Sequence, residues 1–273
     1  MYIHNESLPT PEENLAFDEA LVEVADRLSM REPSEEDSAW ESSTSNEVLR
    51  LWEFALPCVV LGRASKWTQE VNDIACNRDG VSVLRRASGG ASIVAGRGCL
   101  MYSVLISYEA RPAWRALDIA HQEVMIRIRD SVQQTTDSFQ LPMRIAIDGT
   151  CDLTIVNKKF SGNALRCKRY WMLYHGTIMY AMPIEWLSNY LLEPTRQPEY
   201  RRKREHGSFV TNLLDSTSGV SPVAFRTALE RQLASTWNAT QPWQASPWKT
   251  VVDWEANRLL ENRYTNPEWH RSR

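Results

Sequence analysis

Apolar residues recur every three or four positions in three stretches of the chain and alternate or run unbroken in most others. Phe17, Leu21, Val24 and Leu28 define one buried stripe and predict a helix. Thr10 and Glu13 form the capping box that starts it, with Pro11 at the first helical position. Asn14 and Asp18 stand one turn apart on another face, where Asp18 is placed to cap or to pair with a neighbour. A second helix is predicted from about Ala116 to Val132, with Leu117, Ala120, Val124 and Ile128 on one face. His121 sits beside that stripe as a structural or surface residue. A third helix follows Ser221-Pro222 and carries Phe225, Leu229, Leu233 and Trp237. The tryptophans after it, Trp243, Trp248 and Trp254, are suited to covering apolar surface of the main domain.

Strand-like runs fill much of the remainder. VLRLWEF (48–54) and CVVLGR (58–63) are separated by Pro57; Val81, Val83 and Leu84 make another, and Leu100, Tyr102, Val104 and Ile106 a fourth. MRIAI (143–147) and LTIV (153–156) flank the turn Asp148-Gly149-Thr150, and YWMLYHGTIMY (170–180) suits one long strand. Short helices are expected at 68–76 and 184–192. Strands and helices intersperse without regular βαβ alternation. The expected class is therefore α+β, a mixed, largely antiparallel sheet with helices packed on it. Residues 30–47, acidic, Ser-rich and poor in aliphatic side chains, are expected to form a mobile surface loop. Residues 1–215 are read as the main domain and 216–273 as a short helical extension packed on it.

Composition narrows the classes. The chain has 273 residues, 43% of them hydrophobic and 24% charged, enough for a sizeable core without staples. A net charge of −3 argues against a broad nucleic-acid footprint. The five cysteines, Cys58, Cys76, Cys99, Cys151 and Cys167, are odd in number and lack CxxC spacing, which points to reduced thiols in a cytoplasmic protein. No signal peptide is visible at MYIHNESLPT, and no apolar run approaches the ~20 residues that span a bilayer. One dense basic cluster, RQPEYRRKREH (196–206), is either a solvated face or a surface that docks an acidic partner.

The stretch with most chemistry is VSVLRRASGGASIVAGRGCLMYS (81–103). Arg85 and Arg86 precede Ser88, Gly89 and Gly90, between two apolar runs. Backbone N–H groups of such a loop form an anion-binding concavity and guanidinium groups add bidentate contacts. The competing reading is a Gly-containing hairpin with two solvated arginines. Two further polar clusters fall at strand ends or turns: Lys159 with Ser161-Gly162-Asn163, and His175-Gly176-Thr177. Arg63 stands at another strand end. Lys159 is suited to a phosphoryl or carboxylate oxygen, with glycine opening space for it. Asp152 is placed either to bind Mg²⁺ or to orient Lys159. There is no G-x-x-x-x-G-K-[ST] or G-x-G-x-x-G fingerprint, so any nucleotide site uses another cradle.

Taken in order, N-L-A-F-D-E-A-L (14–21), V-V-L-G-R (59–63), R-R-A-S-G-G (85–90), D-L-T-I (152–155) with K-K-F-S-G-N-A (158–164), H-G-T-I-M-Y (175–180) and F-V-T-N-L (209–213) resemble the lipoate–protein ligase A family. A weaker likeness returns in R-Y-T-N-P-E-W (263–269). The resemblance implies the catalytic fold shared with biotin–protein ligases and octanoyltransferases. It implies an ATP- and Mg²⁺-dependent activation of lipoate or octanoate as acyl-AMP, followed by transfer to a carrier-protein lysine. By the same resemblance, Arg86 contacts the nucleotide, with Ser88, Gly89 and Gly90 in its cradle. Ala91, Ser92, Ile93 and Val94 lie along the acyl-adenylate, with Asp152 beside it as the candidate Mg²⁺ ligand. Lys159 binds the acyl carboxylate and α-phosphate as the catalytic residue, and Arg63, Gly162, Asn163, His175 and Gly176 line the substrate pocket. Implied partners are lipoyl carrier domains, of dehydrogenase-complex acyltransferases or of the glycine-cleavage H type, and a separate accessory subunit for adenylation.

The family motif commonly continues R-R-x-S-G-G-G-A-V-[FY]-H-D-x-G-N. Here the third glycine is Ala91, the histidine Ala95, the aspartate Gly96 and the asparagine Cys99. A related branch carries a G-x-G-C-L-x-Y-S ending like residues 96–103. Two alternatives stand beside the ligase: an ATP-independent octanoyl or lipoyl transferase that uses a cysteine thiol, with Cys151 its best candidate, and a non-catalytic lipoate- or nucleotide-binding homologue.

Overall fold

In the computed structural model, which describes residues 1–30, 46–193, 197–215 and 218–272, the chain opens with β1 (Tyr2–His4) and α1 (Pro11–Leu28). Residues 31–45 of the stretch expected as a mobile loop lie outside the described residues. β2 (Val48–Trp52), β3 (Cys58–Leu61), α2 (Trp67–Glu70), α3 (Asp73–Asp79), β4 (Ser82–Arg85), β5 (Ile93–Ala95) and β6 (Cys99–Ser107) follow. Then come α4 (Leu117–Ser138), β7 (Ala146–Asp148), β8 (Asp152–Ile155), β9 (Lys158–Cys167), β10 (Trp171–Met179), α5 (Glu185–Tyr190) and α6 (His206–Phe209). The last part holds α7 (Pro222–Thr236), β11 (Gln241–Pro242), α8 (Lys249–Leu259) and α9 (Pro267–Arg271).

The strands form an eight-stranded sheet in the order β11-β1-β2-β6-β10-β9-β8-β7 and a three-stranded sheet, β4-β3-β5. In the large sheet β1 runs parallel to both its neighbours and every other pairing is antiparallel. The α+β expectation holds. One detail differs: the runs on either side of the Arg-Arg-Ala-Ser-Gly-Gly loop do not flank it as one hairpin. β4 pairs with β3, and β6 pairs with β2 and β10 in the other sheet. The short apolar run Ile93-Val94-Ala95 inserts between them as β5, on the opposite edge of β3. The loop therefore crosses the end of β3. The expected helix at 68–76 is split, with Asn72 capping α3 through its side chain.

Local signals explain α1 well. Thr10 Oγ1 accepts from Glu13 N at 3.2 Å, and Glu13 Oε2 accepts from Thr10 N at 2.7 Å. Its polar face is nevertheless buried, because Arg50 lies in the middle of β2, a strand with every residue buried. Arg50 donates to Asp18 Oδ1 (2.6 Å), Asn14 Oδ1 (2.6 Å) and Asn14 O (2.9 Å). Its guanidinium also lies over the rings of Phe17 and Trp52, 4.9 and 4.7 Å from their centroids. Ser103 donates to the other Asp18 oxygen at 2.6 Å. The charges neutralise each other in the core.

The C-terminal helices pack across the rest: α7 on α4, α8 on α1, and α9 on β4. Trp243 and Trp248 are buried as expected. Trp254 is not; it is 60% exposed on α8. No described helix is long and apolar enough to cross a membrane.

Two outcomes follow from the buried polar groups. Arg50→Ala leaves Asp18 uncompensated in the core and should lower the unfolding free energy by about 3–5 kcal/mol in urea titrations. The joint replacement Arg50→Met with Asp18→Asn should recover much of that loss, since no bare charge remains.

The second concerns pH. All five histidines have pKa values held down, burial being the first cause in each. His4 falls to about 3 and His175 to about 4. Below about pH 6.5 the unfolded chain takes up protons that the fold refuses, so stability must fall as pH drops from there toward 4. Glu47, raised by burial, works in the opposite direction, one group against five. The melting temperature should be lower at pH 5 than at pH 7.5 by something on the order of 10 °C. His4→Gln should flatten part of that slope.

Candidate active site

The crossing loop is held by one guanidinium. Arg86, enclosed between β3 and the loop, donates Nε to Ser88 Oγ (3.0 Å) and Nη1 to Val60 O (3.2 Å). Nη2 donates to Gly89 O (2.6 Å) and Ala91 O (3.0 Å). Burial lowers its pKa to about 10, which still leaves it charged at neutral pH. The turn lies so close to β3 that a Cβ on Gly62 would stand 2.0 Å from Gly90 O. Glycine is required there by contact. Ser88 Oγ, which accepts from Arg86, also lies within hydrogen-bond distance, 2.6 Å, of His175 Nε2 on β10. Burial and the nearby Arg86 charge keep His175 neutral, with a pKa of about 4. The small sheet's loop is thereby tied to the large sheet.

Across the cavity Lys159, at the start of β9, pairs with Asp152 at 2.7 Å (Nζ to Oδ1). Tyr200 donates to Asp152 Oδ2 at 2.6 Å. Both carboxylate oxygens are thus engaged, and of the two roles open to Asp152 the geometry displays the orienting one. No group of three or more His, Cys, Asp or Glu side chains converges to hold a metal among the described residues. A Cβ on Gly162 would meet Lys159 Nζ at 2.7 Å, so the glycine makes room for the ammonium. Asn163 accepts a short bond from Tyr102 Oη and donates to Cys151 O at 2.7 Å.

Between these walls lies a pocket of about 100 Å³. It brings together Arg86, Ala91, Ser92, Ile93, Lys159, Gly162, Asn163, His175 and Gly176. Gly89 and Gly90 carry the loop over Arg86, and Val94 is buried in β5 opposite Val59. Arg63 is placed elsewhere: only its backbone joins the loop, donating to Ser88 O at 2.8 Å, while its exposed side chain borders a cleft on the far side. Arg85 also turns away, donating to the carbonyls of Gly62 (2.9 Å), Ser65 (2.7 Å) and His270 (2.9 Å), which ties α9 to the loop's base.

Several lining residues escape a sequence reading. Trp52, Met101 and Leu15 supply apolar wall, and Asp18 brings the buried Arg50 pair to the floor. The available signal was Arg50, a lone charge inside an apolar strand. Glu70 accepts from Ser92 Oγ (2.5 Å) and Ser92 N (3.2 Å), steadying the loop beyond the glycines; nothing local marks it. The basic cluster divides in two. Arg201 is buried and pairs with Glu193 at 2.8 Å, and Arg204 spends its donors on the carbonyls of Arg201, Tyr200 and Asn157. Only Arg202 and Lys203 of that tetrad are exposed.

Cys151 does not line the pocket, and its thiol donates to Asn163 O at 3.3 Å. Burial and the adjacent Asp152 push its pKa up to about 11. Its thiolate fraction at pH 7 is then about one in ten thousand, far below that of an activated nucleophile.

Residues 10–234 match the family model of the lipoyl protein ligase A/B catalytic domain. The lipoate-protein ligase LplJ of Bacillus subtilis is 23% identical over 276 residues, spanning all of this chain and 74% of its own length. Relatives from Schizosaccharomyces pombe and Mycoplasma pneumoniae match over 160 and 145 residues, 40% of their own length in each case. Among solved structures, the bi-partite lipoate protein ligase of Thermoplasma acidophilum superposes with a TM-score of 0.71 at 21% identity, covering 99% of this chain and 96% of that one. A lipoate-protein ligase A bound with ATP gives 0.71 at 20% identity, with 99% of each chain covered. A T. acidophilum protein with bound lipoic acid gives 0.69 at 20%, over 99% and 98%. The fold is shared with all three, and with 225 consecutive residues inside the family model the chain belongs to the lipoyl protein ligase A/B catalytic-domain family.

Proposed function

We propose that the protein activates lipoate, or octanoate, with ATP as an acyl-adenylate and transfers the acyl group to a lysine of a lipoyl carrier domain. The observation that carries this reading is the pairing of two fixed cations, Arg86 and Lys159, across one pocket with the loop backbone of Ala91, Ser92 and Ile93 between them. Lipoic acid and ATP are bound in structures of the same fold, and the bi-partite ligase is described with its E2 lipoyl domain.

In the first step the carboxylate oxygen attacks the α-phosphorus and pyrophosphate leaves. Negative charge builds between two anions, where preorganised cations and N–H dipoles stabilise it most in a water-poor cleft. Arg86 reaches the nucleotide side and Lys159 bridges the acyl carboxylate and the α-phosphate. In the second step the neutral carrier amine attacks the acyl carbonyl, AMP departs with the electron pair of the broken C–O bond, and the proton shed by the nitrogen as the amide forms passes to the departing phosphate or to solvent. Lys159 stabilises both the carbonyl oxygen and the AMP oxygen. No enzyme nucleophile takes part. Mg²⁺ enters with ATP as part of the substrate, and no step here is routed through it.

Lys159→Ala should slow transfer from preformed lipoyl-AMP about 100-fold or more, the scale of removing one transition-state donor, with an unchanged circular-dichroism spectrum. Normal transfer by the folded variant would remove Lys159 from this role. Lipoate-dependent ATP–pyrophosphate exchange should persist, within about twofold, in Cys151→Ala. Acyl transfer that needs no ATP and is abolished by thiol alkylation would instead establish the cysteine route.

A further inference from the structure

The β8–β9 connection consists of Val156 and Asn157, and both are left-handed, with φ of 48° and 59°. Two-residue hairpins of this kind ordinarily carry Asn-Gly, because only such residues take positive φ at little cost. A β-branched valine there is strained. Val156 is also 91% exposed, so burial against the fold offsets none of that strain. Beside it stands a second left-handed pair, Arg202 (φ 51°) and Lys203 (φ 59°). Arg204 links the two tips, donating to Asn157 O and to Tyr200 O, each at 3.0 Å. Lys158, Arg202 and Lys203 are exposed and meet no carboxylate among the described residues. With Arg204 they outnumber the exposed Glu199 and Glu205 of the same segment, which leaves a local positive charge beside an apolar tip on a chain of net charge −3.

This surface is coupled to the reacting end of the pocket. Tyr200, whose carbonyl Arg204 holds, donates to Asp152, and Asp152 pairs with Lys159, three residues past Val156. We infer that the two tips are the docking surface for an acidic protein, the carrier that presents its lysine to the acyl-adenylate; this rests on the function proposed above. The cations steer the partner by charge complementarity. Val156 supplies the apolar contact, and its strained backbone is the kind retained where a site uses it.

The test compares wild type, Val156→Gly and the double variant Arg202→Glu/Lys203→Glu in two assays. Lipoate-dependent ATP–pyrophosphate exchange needs no carrier; acylation of the apo lipoyl domain of a dehydrogenase-complex acyltransferase does. Exchange should stay within about twofold in all three. The carrier KM should rise about fivefold or more in Val156→Gly and about tenfold or more in the charge reversal, with kcat kept. Wild-type KM should grow with salt, and that dependence should flatten in the double variant. Val156→Gly should also melt at a higher temperature, because glycine relieves the backbone; a residue with only a structural role would not gain stability while losing carrier affinity. Unchanged carrier KM in both variants, with exchange intact, overturns the docking surface and leaves the ligase reading standing. Absence in wild type of both exchange and transfer from preformed lipoyl-AMP overturns the ligase reading. Calorimetric binding of the same apo domain then decides the surface: binding lost on charge reversal sustains it, and unaltered or undetectable binding overturns it.

Discussion

The guanidinium of Arg86, enclosed by its own loop, is the contact on which the site depends. It donates to the end of β3 and to both sides of the Gly89-Gly90 turn, and through Ser88 it reaches His175 on the large sheet. Hydrogen bonds from a charged donor are worth about 1.5–3 kcal/mol each, and losing the donor would strand buried carbonyls. A lysine has no planar fork with which to serve these acceptors together. The same group that shapes the loop also leaves positive charge on the pocket wall. Shape and electrostatics come from one residue.

The opposite wall is built on the same plan, from charges positioned by neighbours. Lys159 is held by Asp152, Asp152 by Tyr200, and Tyr200 by the turn that Arg204 clamps. Beneath both walls the Asp18–Arg50 pair neutralises itself among aromatic rings and Asn14. Cations set in place before substrate arrives need no reorganisation as charge develops, which is where such sites gain most. Of the departures from the common family motif, Ala91 lines the pocket and accepts from Arg86 through its carbonyl, whereas Ala95, Gly96 and Cys99 lie beyond it in and after β5. Between them Glu70 steadies Ser92.

Much of this was legible from neighbours in sequence. The capping box of α1 is a contact between residues three apart, the hairpin at Gly149 is signalled by its turn, and the buried stripe of α7 follows its spacing. The three polar clusters on separate strands, at Arg86, Lys159 and His175, meet in one pocket as their order implied. What misled was burial. Arg201 and Arg204 look like a solvated patch until Glu193 and four backbone carbonyls are brought to them, and Arg63 looks like a site residue until its side chain faces another cleft.

By itself the sequence determined the α+β class, the places of most helices and strands, and the residue types that make an anion cradle, because these rest on periodicity, caps and local turn chemistry. The resemblance singled out Arg86 over Arg85, but only the tertiary structure supplied the physical reason why the second of the two adjacent arginines faces the pocket. Arg85 and Arg86 sit on consecutive residues at the end of one strand and point to opposite sides, one toward α9 and one toward the loop. That choice depends on strand pairing across two sheets, with β5 on one edge of β3 and β4 on the other. Contacts between residues so far apart in the chain carry no local pattern to read.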